Sequence, residues 1–178
     1  MKQKVLVLAY PGAGKTFLAE NFKNVSDLEF QHYRWDYGKN KNLPLEQIKG
    51  IEEKTVRPEW PQNFFDLLEK EIEKTEIVLV PMATSLFPIL DHLASKGVRV
   101  IFAIQDEDSL DDVVEVYRKR GNKEKFIEDR KNDFKKFHDL TATNKYEKAY
   151  IHKNEHLQDA LERLGVNFKK GKGYKNYF

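Results

Sequence analysis

The chain of 178 residues carries 31 Lys and Arg against 29 Asp and Glu, and it has no cysteine. Its length and its 40% hydrophobic content favour one folded domain with a substantial core and argue against disorder. The lack of cysteine excludes disulfides and cysteine-ligated zinc, and it suits a reducing, cytoplasmic location. The first apolar run, Val5–Ala9, is too short for a signal-peptide core or a membrane span, so no membrane association is expected.

Positive charge is distributed unevenly along the chain. Residues 1–117 contain 14 Lys and Arg and 20 Asp and Glu, whereas residues 118–178 contain 17 and 9. This excess of cations predicts an anionic ligand that is held in part by the last third of the chain. For most individual lysines, a solvated helix face is the better explanation.

Predicted strands and helices alternate along the chain. Apolar, partly β-branched runs predict five strands, at residues 4–9, 25–30, 76–81, 98–104 and 149–152. Apolar spacing and terminal signals predict helices at 15–23, 45–54, from 61 onward, 84–96, 109–118, 123–140 and 155–164. This alternation predicts a single three-layer α/β domain, residues 1–178, that is built on a parallel sheet.

The segment between the first strand and the first helix reads Ala9-Tyr10-Pro11-Gly12-Ala13-Gly14-Lys15-Thr16. It matches the phosphate-binding pattern G-x-x-x-x-G-K-[ST] except at the first glycine, where Ala9 stands, and it has the strand–loop–helix context that this pattern requires. Gly12 and Gly14 allow backbone N–H groups to curl around an anion, and the helix adds its positive N-terminal end. A glycine-rich turn that precedes a helix by chance is the alternative.

ATP with Mg²⁺ is therefore the expected cofactor of this loop. Lys15 is expected to contact the β- and γ-phosphates and to be catalytic, and Thr16 is expected to offer its hydroxyl to the metal. The expected binding residues are Pro11, Gly12, Ala13, Gly14, Lys15 and Thr16.

With this loop the chain resembles small P-loop kinases of the nucleoside monophosphate kinase and shikimate kinase superfamily. It is most similar to uncharacterised, often phage-encoded P-loop proteins that carry a Trp-Pro helix start and an Arg-Gly-Asn lid. The further segments that carry this resemblance are Arg118-Lys119-Arg120-Gly121-Asn122 with Phe126-Ile127-Glu128-Asp129-Arg130, and Tyr150-Ile151-His152. Residues 118–122 and 126–130 together are similar to the lid of pyrimidine monophosphate kinases. Residues 150–152 lie where such kinases hold the nucleotide base.

The resemblance implies a P-loop NTPase fold whose five parallel strands lie in the order 2-3-1-4-5. It also implies that residues 118–130 form a lid whose catalytic arginines, Arg118, Arg120 and Arg130, close on the transferring phosphate. Only Phe126 and Ile127 are available to hold this segment to the core, so a mobile lid is predicted. Surface ion pairs, such as Arg130 with Asp133, are the alternative role for these arginines.

One departure from the family pattern concerns the metal site. The strand at 76–81 ends in Pro81-Met82 without an acidic residue, and related kinases that lack one there use an Asp-x-Asp pair elsewhere. Asp27-Leu28-Glu29 is such a pair, and residues i and i+2 of a strand face the same side. Asp27 is therefore expected to bind the metal with Thr16 or to act as a base, and Glu29 to face the metal or the substrate. A solvated strand end is the alternative.

Residues 31–60 lie where such kinases place a substrate-binding insertion. Arg34 and Arg57 are candidates for holding an acceptor phosphate, Asp36 is a further candidate contact, and Trp35 and Tyr37 are candidates for stacking a base. For each residue taken alone, local packing and solvation is the slightly better explanation.

The leading interpretation is a monomeric phosphotransferase that moves the γ-phosphoryl group of ATP to a small phosphorylated metabolite. A nucleoside or deoxynucleoside monophosphate is the best candidate acceptor. The alternatives are a kinase of a nucleic-acid end or of a small-molecule hydroxyl, and an NTP-binding regulatory protein. The Lys- and aromatic-rich tail, 166–178, is expected to be partly disordered or to lay its aromatic rings on the body, with nucleic-acid contact less favoured.

Overall fold

A computed structural model describes residues 3–48, 51–172 and 174–176 of the chain. The strands in these ranges are β1 (Val5–Ala9), β2 (Val25–Leu28), β3 (Trp35–Asp36), β4 (Thr55–Val56), β5 (Ile77–Pro81), β6 (Arg99–Gln105), β7 (Glu147–Ile151) and β8 (Tyr174–Asn176). Six of them form one parallel sheet in the order β7-β6-β1-β5-β2-β8. The remaining pair, β3 and β4, forms a separate antiparallel ribbon.

The helices in the same ranges are α1 (Lys15–Asn21), α2 (Gln31–Arg34), α3 (Leu45–Ile48), α4 (Gln62–Lys74), α5 (Phe87–Ser95), α6 (Leu110–Lys119), α7 (Glu124–Ala142) and α8 (Leu157–Arg163). The prediction of a helix at 45–54 is wrong in its length, because α3 ends at Ile48 and residues 51–54 are not helical. The chain there must extend to pair β4 with β3, and this pairing overrides helical propensity. Within the described ranges, no helix is long and apolar enough to cross a membrane.

Alternate residues of the parallel strands face opposite layers of helices. Leu6 and Leu8 of β1 are buried on the face covered by α4 and α5, whereas Val7 is buried on the face covered by α1 and α8. Burying each of these side chains completely contributes about 1.5–3 kcal/mol to stability. The predicted α/β class with five parallel strands is confirmed, and helices cover both faces of the sheet.

The centre of the sheet fixes where loops from different strands meet. β1 lies between β5 and β6, with Ala9 in register with Pro81 and Ala103. Because the strands are parallel, their carboxyl ends share one edge, and ligands of open α/β sheets bind at this edge. The loop after β1 and the segment after β2 therefore open onto the same side of the protein.

The tail of the chain packs against the body as far as it is described. The ring of Phe168 lies 5.0 Å from that of Phe22, and the amide of Asn24 donates to the carbonyl of Asn167 at 2.9 Å. β8 then adds a parallel strand beside β2, which the sequence did not predict. The aromatic contact agrees with one of the two expectations for the tail, and residues 173, 177 and 178 lie outside the described ranges.

Candidate nucleotide-binding site

The loop between β1 and α1 has the backbone shape that an anion-binding loop needs. Gly12 and Gly14 have φ angles of 88° and 102°, a region that side-chain-bearing residues rarely adopt. The N–H of Ala13 donates to the carbonyl of Tyr10 at 3.1 Å and closes the turn between them. α1 begins after Gly14 with no side-chain cap, so the first N–H groups of this helix have no intrahelical partner.

Lys15 is the charged residue of this loop. Its side chain belongs to the first turn of α1, and the residue is only 7% exposed. No hydrogen bond or ion pair reaches its ammonium group from the described part of the chain. The side chain is largely covered while its ammonium nitrogen is not buried, so an anion held by the loop can reach it.

Thr16 and Asp27 meet beside the loop. The hydroxyl of Thr16 donates to Oδ2 of Asp27 at 3.2 Å, and Asp27 is only 1% exposed. A threonine hydroxyl that donates its proton to a carboxylate keeps its oxygen lone pairs available, and oxygen ligands are those that Mg²⁺ prefers. The residues present therefore fit a magnesium site of the expected composition.

Glu29 lies apart from this pair. It follows the end of β2 and is half-buried, and no hydrogen bond joins it to Thr16 or Asp27 in the described ranges. The structure therefore brings Asp27, and not Glu29, to the hydroxyl of Thr16.

Two tyrosines that sequence reasoning did not single out fix the loop in place. The hydroxyl of Tyr117 in α6 donates to the carbonyl of Pro11 at 2.7 Å, and the hydroxyl of Tyr10 donates to the carbonyl of Arg130 at 2.5 Å. Burial raises the pKa of both phenols well above its usual value, so both remain donors at every physiological pH.

These tyrosines belong to a small apolar cluster, the clamp cluster, which joins the loop to α6 and α7. Its buried members are Tyr10, Val113, Val114, Tyr117, Ile127 and Phe134. The i, i+1, i+4 spacing of the α6 members predicts a buried helix face. Nothing in that spacing indicates that the face packs against the phosphate-binding loop.

The three expected arginines occupy different environments. Arg118 is exposed, and its Nε lies 3.4 Å from Oε1 of Glu124. Arg120 is exposed and has no ion pair within the described ranges. Arg130 pairs with Asp133 at 2.6 Å, as the alternative role anticipated, while its Nε is buried without a hydrogen-bond partner in the described chain.

Two of these arginines act on the pKa of Tyr117, whose hydroxyl contacts the loop. Burial raises the pKa of Tyr117, and the charges of Arg130 and Arg120 act in the opposite direction. Arg118 has no such influence on Tyr117 and is held by its neighbour Glu124.

The expected lid segment, 118–130, is packed against the clamp cluster. Ile127 is completely buried, and the ring of Phe126 meets Tyr117 edge-on at 5.6 Å. Two of its lysines have acidic neighbours: Nζ of Lys119 lies 3.8 Å from Glu115, and Nζ of Lys125 lies 3.3 Å from Glu52. Mobility of the segment stays a prediction.

In the insertion, 31–60, most candidate residues have local partners. Oδ1 of Asp36 accepts the N–H of Gly38 at 2.9 Å, which is a turn-forming role. Tyr37 is buried, and its hydroxyl donates to Gln31 at 3.2 Å. Arg57 donates through Nε to the carbonyl of Trp35 at 3.2 Å.

Arg34 stands over the ring of Trp35, with its Cζ 4.7 Å from the ring centroid. Nε of Arg34 is buried without a partner in the described chain. The insertion thus keeps two arginines, Arg34 and Arg57, without an acidic partner in the described ranges.

Comparisons with protein-family models and with curated proteins find no match for this chain. The functional interpretation therefore depends on the geometry of the loop, on its neighbours and on the pattern of the sequence.

Proposed function

We propose that the protein is an ATP- and Mg²⁺-dependent phosphotransferase of the P-loop kinase type. The observation that carries this proposal is the ammonium of Lys15, unpaired within the described chain, beside the pair formed by Thr16 and Asp27. A polyphosphate would supply a counter-charge for Lys15, and Thr16 and Asp27 offer oxygen ligands of the kind that Mg²⁺ prefers.

The strand order supports the same proposal. When the short strands β3, β4 and β8 are left out and the others are numbered along the chain, their order is 2-3-1-4-5 with the first strand in the centre. This is the order that the resemblance to P-loop kinases implies. The phosphate-binding loop then follows the central strand, at the carboxyl edge where such sheets bind ligands.

Donor binding uses groups that are fixed before the ligand arrives. The loop N–H groups bind the phosphates, apart from that of Ala13, which already donates to the carbonyl of Tyr10, and Lys15 neutralises part of the phosphate charge. Thr16 would hold Mg²⁺ through its hydroxyl oxygen, which Asp27 orients by accepting the hydroxyl proton. The metal neutralises the β- and γ-phosphate oxygens when it is bound.

In the transfer step, an acceptor oxygen forms a bond to the γ-phosphorus as the bond from that phosphorus to the β–γ bridging oxygen breaks. ADP leaves with the electron pair of the broken bond. Arg120 and Arg130 stabilise the charge that develops between donor and acceptor. Buried, apolar Met82 and Ala83 follow β5, so no carboxylate activates water there, which favours transfer over hydrolysis.

The best candidate acceptor is a nucleoside or deoxynucleoside monophosphate. A monophosphate oxygen is already an anionic nucleophile and needs no general base. We propose that donor and acceptor bind to the same chain, so that a monomer is active.

The test combines binding with product analysis. Calorimetry measures the affinity for ATP with Mg²⁺ of the unmodified protein, of Lys15→Ala and of Lys70→Ala, which removes an exposed lysine of α4. Lys15→Ala should weaken ATP binding about ten- to a hundredfold, because a charge-assisted contact is worth about 1.5–3 kcal/mol. Lys70→Ala should bind ATP normally.

Product analysis then identifies the acceptor. The protein is incubated with ATP, Mg²⁺ and a panel of nucleoside monophosphates and a 5′-hydroxyl oligonucleotide. Formation of ADP with one nucleoside diphosphate supports the proposal. Unchanged ATP affinity in Lys15→Ala, or slow hydrolysis that no acceptor stimulates, refutes it.

A further inference from the structure

Three side chains with metal-ligating atoms meet beside the start of α6, and we call them the Glu107 triad. Glu107 belongs to the 3₁₀ turn Glu107–Ser109, which joins β6 to α6, whereas His138 and Asp139 are neighbours in the C-terminal half of α7. Each contributes one nitrogen or carboxylate oxygen, and these three atoms lie within 4.8 Å of one another. The fold therefore gathers one imidazole and two carboxylates from two distant elements.

The spacing inside the triad suits ligands of one ion better than partners in a hydrogen bond. Nδ1 of His138 lies 3.6 Å from Oε1 of Glu107, which is too long for a hydrogen bond. Two ligands of a tetrahedral zinc ion, each at about 2.0–2.2 Å from the metal, lie about 3.4 Å from each other. Glu107 and Asp139 are exposed, so their side chains can rotate to bring the third ligand to this spacing.

A small cavity on the inner side of the triad bears on the tautomer of His138. His138 and Gln105, the last residue of β6, both line this cavity of about 20 Å³. Oε1 of Gln105 is buried and has no hydrogen-bond partner in the described chain. A cavity of this size holds one water, which can accept the Nε2 proton of His138 and donate to Gln105. Metal-ligating histidines make such a contact through their second ring nitrogen.

This tautomer leaves the triad in need of a cation. With the proton on Nε2, the lone pair of Nδ1 faces the carboxylate of Glu107, and two acceptors that face each other repel. A protonated His138 would satisfy Glu107 alone, whereas the side chain of Asp139 has no hydrogen bond or ion pair in the described ranges. Asp106, which precedes Glu107, already contacts Nδ1 of His152 at 2.9 Å. A metal ion accounts for all three members of the triad.

The other charges near the triad do not occupy it. Lys135 and Lys136 lie one turn before Asp139 in α7, and both are exposed. Within the described part of the chain, neither lysine has an ion pair with Glu107 or Asp139. Asp108 is exposed beside Glu107 and adds negative charge on the same turn. The two carboxylates of the triad are therefore available to a cation from solution.

We infer that the Glu107 triad binds a divalent transition ion, for which Zn²⁺ is the best match. An imidazole suits zinc, and three nitrogen and oxygen ligands leave the fourth tetrahedral position to water. Mg²⁺ prefers oxygen ligands in octahedral geometry and fits this set less well. The ion ties the turn before α6 to the C-terminal half of α7, and so restrains the two helices that meet at residues 118–130. This site is separate from Thr16 and Asp27, and it does not depend on the proposed phosphotransferase function.

The first test is calorimetry with Zn²⁺ and the full chain, without nucleotide. His138→Asn, Glu107→Gln and Asp139→Asn should each lower the zinc affinity at least about tenfold, a loss that even outer-shell changes produce at metal sites. Two matched controls should bind zinc normally. His92→Asn removes an exposed imidazole that contacts the carboxylate of Glu69 at 2.9 Å.

The second control, Asp108→Asn, removes the exposed carboxylate next to Glu107. If His138→Asn and His92→Asn lower zinc affinity equally, zinc binds to surface histidines in general and the inference is wrong. It is also wrong if His138→Asn weakens binding while both carboxylate variants of the triad bind normally, because the imidazole then acts alone.

Nitrogen NMR of the His138 ring gives a readout that an ion pair would not move. Zinc should shift the Nδ1 resonance and leave Nε2 protonated, since Nδ1 is the nitrogen that faces Glu107. A ring that is protonated on both nitrogens and does not respond to zinc would show that the triad is only an ion pair.

Thermal unfolding separates this site from the magnesium site. An ion that binds the folded chain raises the midpoint of unfolding, so the midpoint should rise with zinc in the unmodified protein. The rise should be lost in His138→Asn and kept in both His92→Asn and Asp27→Asn. If Asp27→Asn abolishes the rise and His138→Asn keeps it, zinc binds beside Thr16 and the triad does not bind metal. The affinity for ATP, which tests the donor site, does not enter any of these measurements.

Discussion

The hydroxyl of Tyr117 donates a hydrogen bond to the carbonyl oxygen of Pro11, 2.7 Å away. These residues are 106 positions apart in the chain, and they join α6 to the phosphate-binding loop. The same tyrosine packs its ring against Phe126, and its carbonyl accepts both the backbone N–H and the side-chain amide of Asn122, each at 3.1 Å. One residue thus connects the donor loop to both sides of the expected lid.

Replacing Tyr117 with Phe tests this connection. The ring and its packing stay, but the carbonyl of Pro11 loses its donor. We expect the free energy of unfolding to fall by about 0.5–1.5 kcal/mol and ATP binding to weaken severalfold, as measured by urea unfolding and calorimetry. Tyr150→Phe is the matched control, because Tyr150 is exposed and its hydroxyl makes no hydrogen bond with the described residues. Equal effects of the two variants would contradict the coupling.

The dependence of activity on magnesium tests the contact between Thr16 and Asp27. Asp27→Asn keeps the shape of the side chain and removes its charge, so the magnesium concentration for half-maximal activity should rise at least tenfold. Binding of ATP without the metal should change little, because Lys15 and the loop amides remain.

Glu29→Gln is the comparison for Asp27→Asn, since Glu29 makes no hydrogen bond to Thr16 in the described chain. We expect Glu29→Gln to keep the normal magnesium dependence. If this variant loses activity at every magnesium concentration while Asp27→Asn keeps it, Glu29 acts as a general base and the acceptor is a hydroxyl compound.

The arginines of α6 and α7 should differ in their effect on turnover. Arg120→Ala and Arg130→Ala should each lower kcat about ten- to a thousandfold while weakening ATP binding much less, because their partner charge peaks in the transition state. Arg118→Ala should have a smaller effect, since Arg118 is exposed and lies 3.4 Å from Glu124. Steady-state kinetics with the preferred acceptor provide the comparison, and near-normal kcat in both Arg120→Ala and Arg130→Ala would show that these residues are surface charges.

The parts of the structure that the sequence predicted are those that local patterns determine. The strand before the loop is a continuous apolar run, and glycines at 12 and 14 occupy positions with positive φ. Asp27 could be placed opposite Thr16 because strand periodicity fixes the direction of its side chain.

The parts that the sequence did not predict depend on contacts between distant segments. Tyr10 and Tyr117 look like ordinary core residues until the fold brings their hydroxyls to the carbonyls of Arg130 and Pro11. The contact between Lys54 and the ring of Trp35 could not be predicted, because the two residues lie 19 positions apart across a two-residue ribbon. Ribbons this short leave little periodicity to read.

Hydrogen exchange across residues 118–130 tests whether the packed lid segment responds to ligands. Ile127 is completely buried and Phe126 contacts Tyr117, so amides near these residues should be partly protected without ligand. The turn at Gly121, which has a φ angle of 74°, separates α6 from α7 and is the point where the segment can change direction.

ATP with an acceptor supplies negative charge for Arg120 and Arg130, so the ligands bind the closed arrangement more tightly and shift the population toward it. Exchange near the turn should therefore slow when both ligands bind, and it should not slow in Lys15→Ala, which keeps the fold but loses the donor. If exchange in this segment is the same with and without ligands in the unmodified protein, then 118–130 is a fixed wall of the site and not a lid.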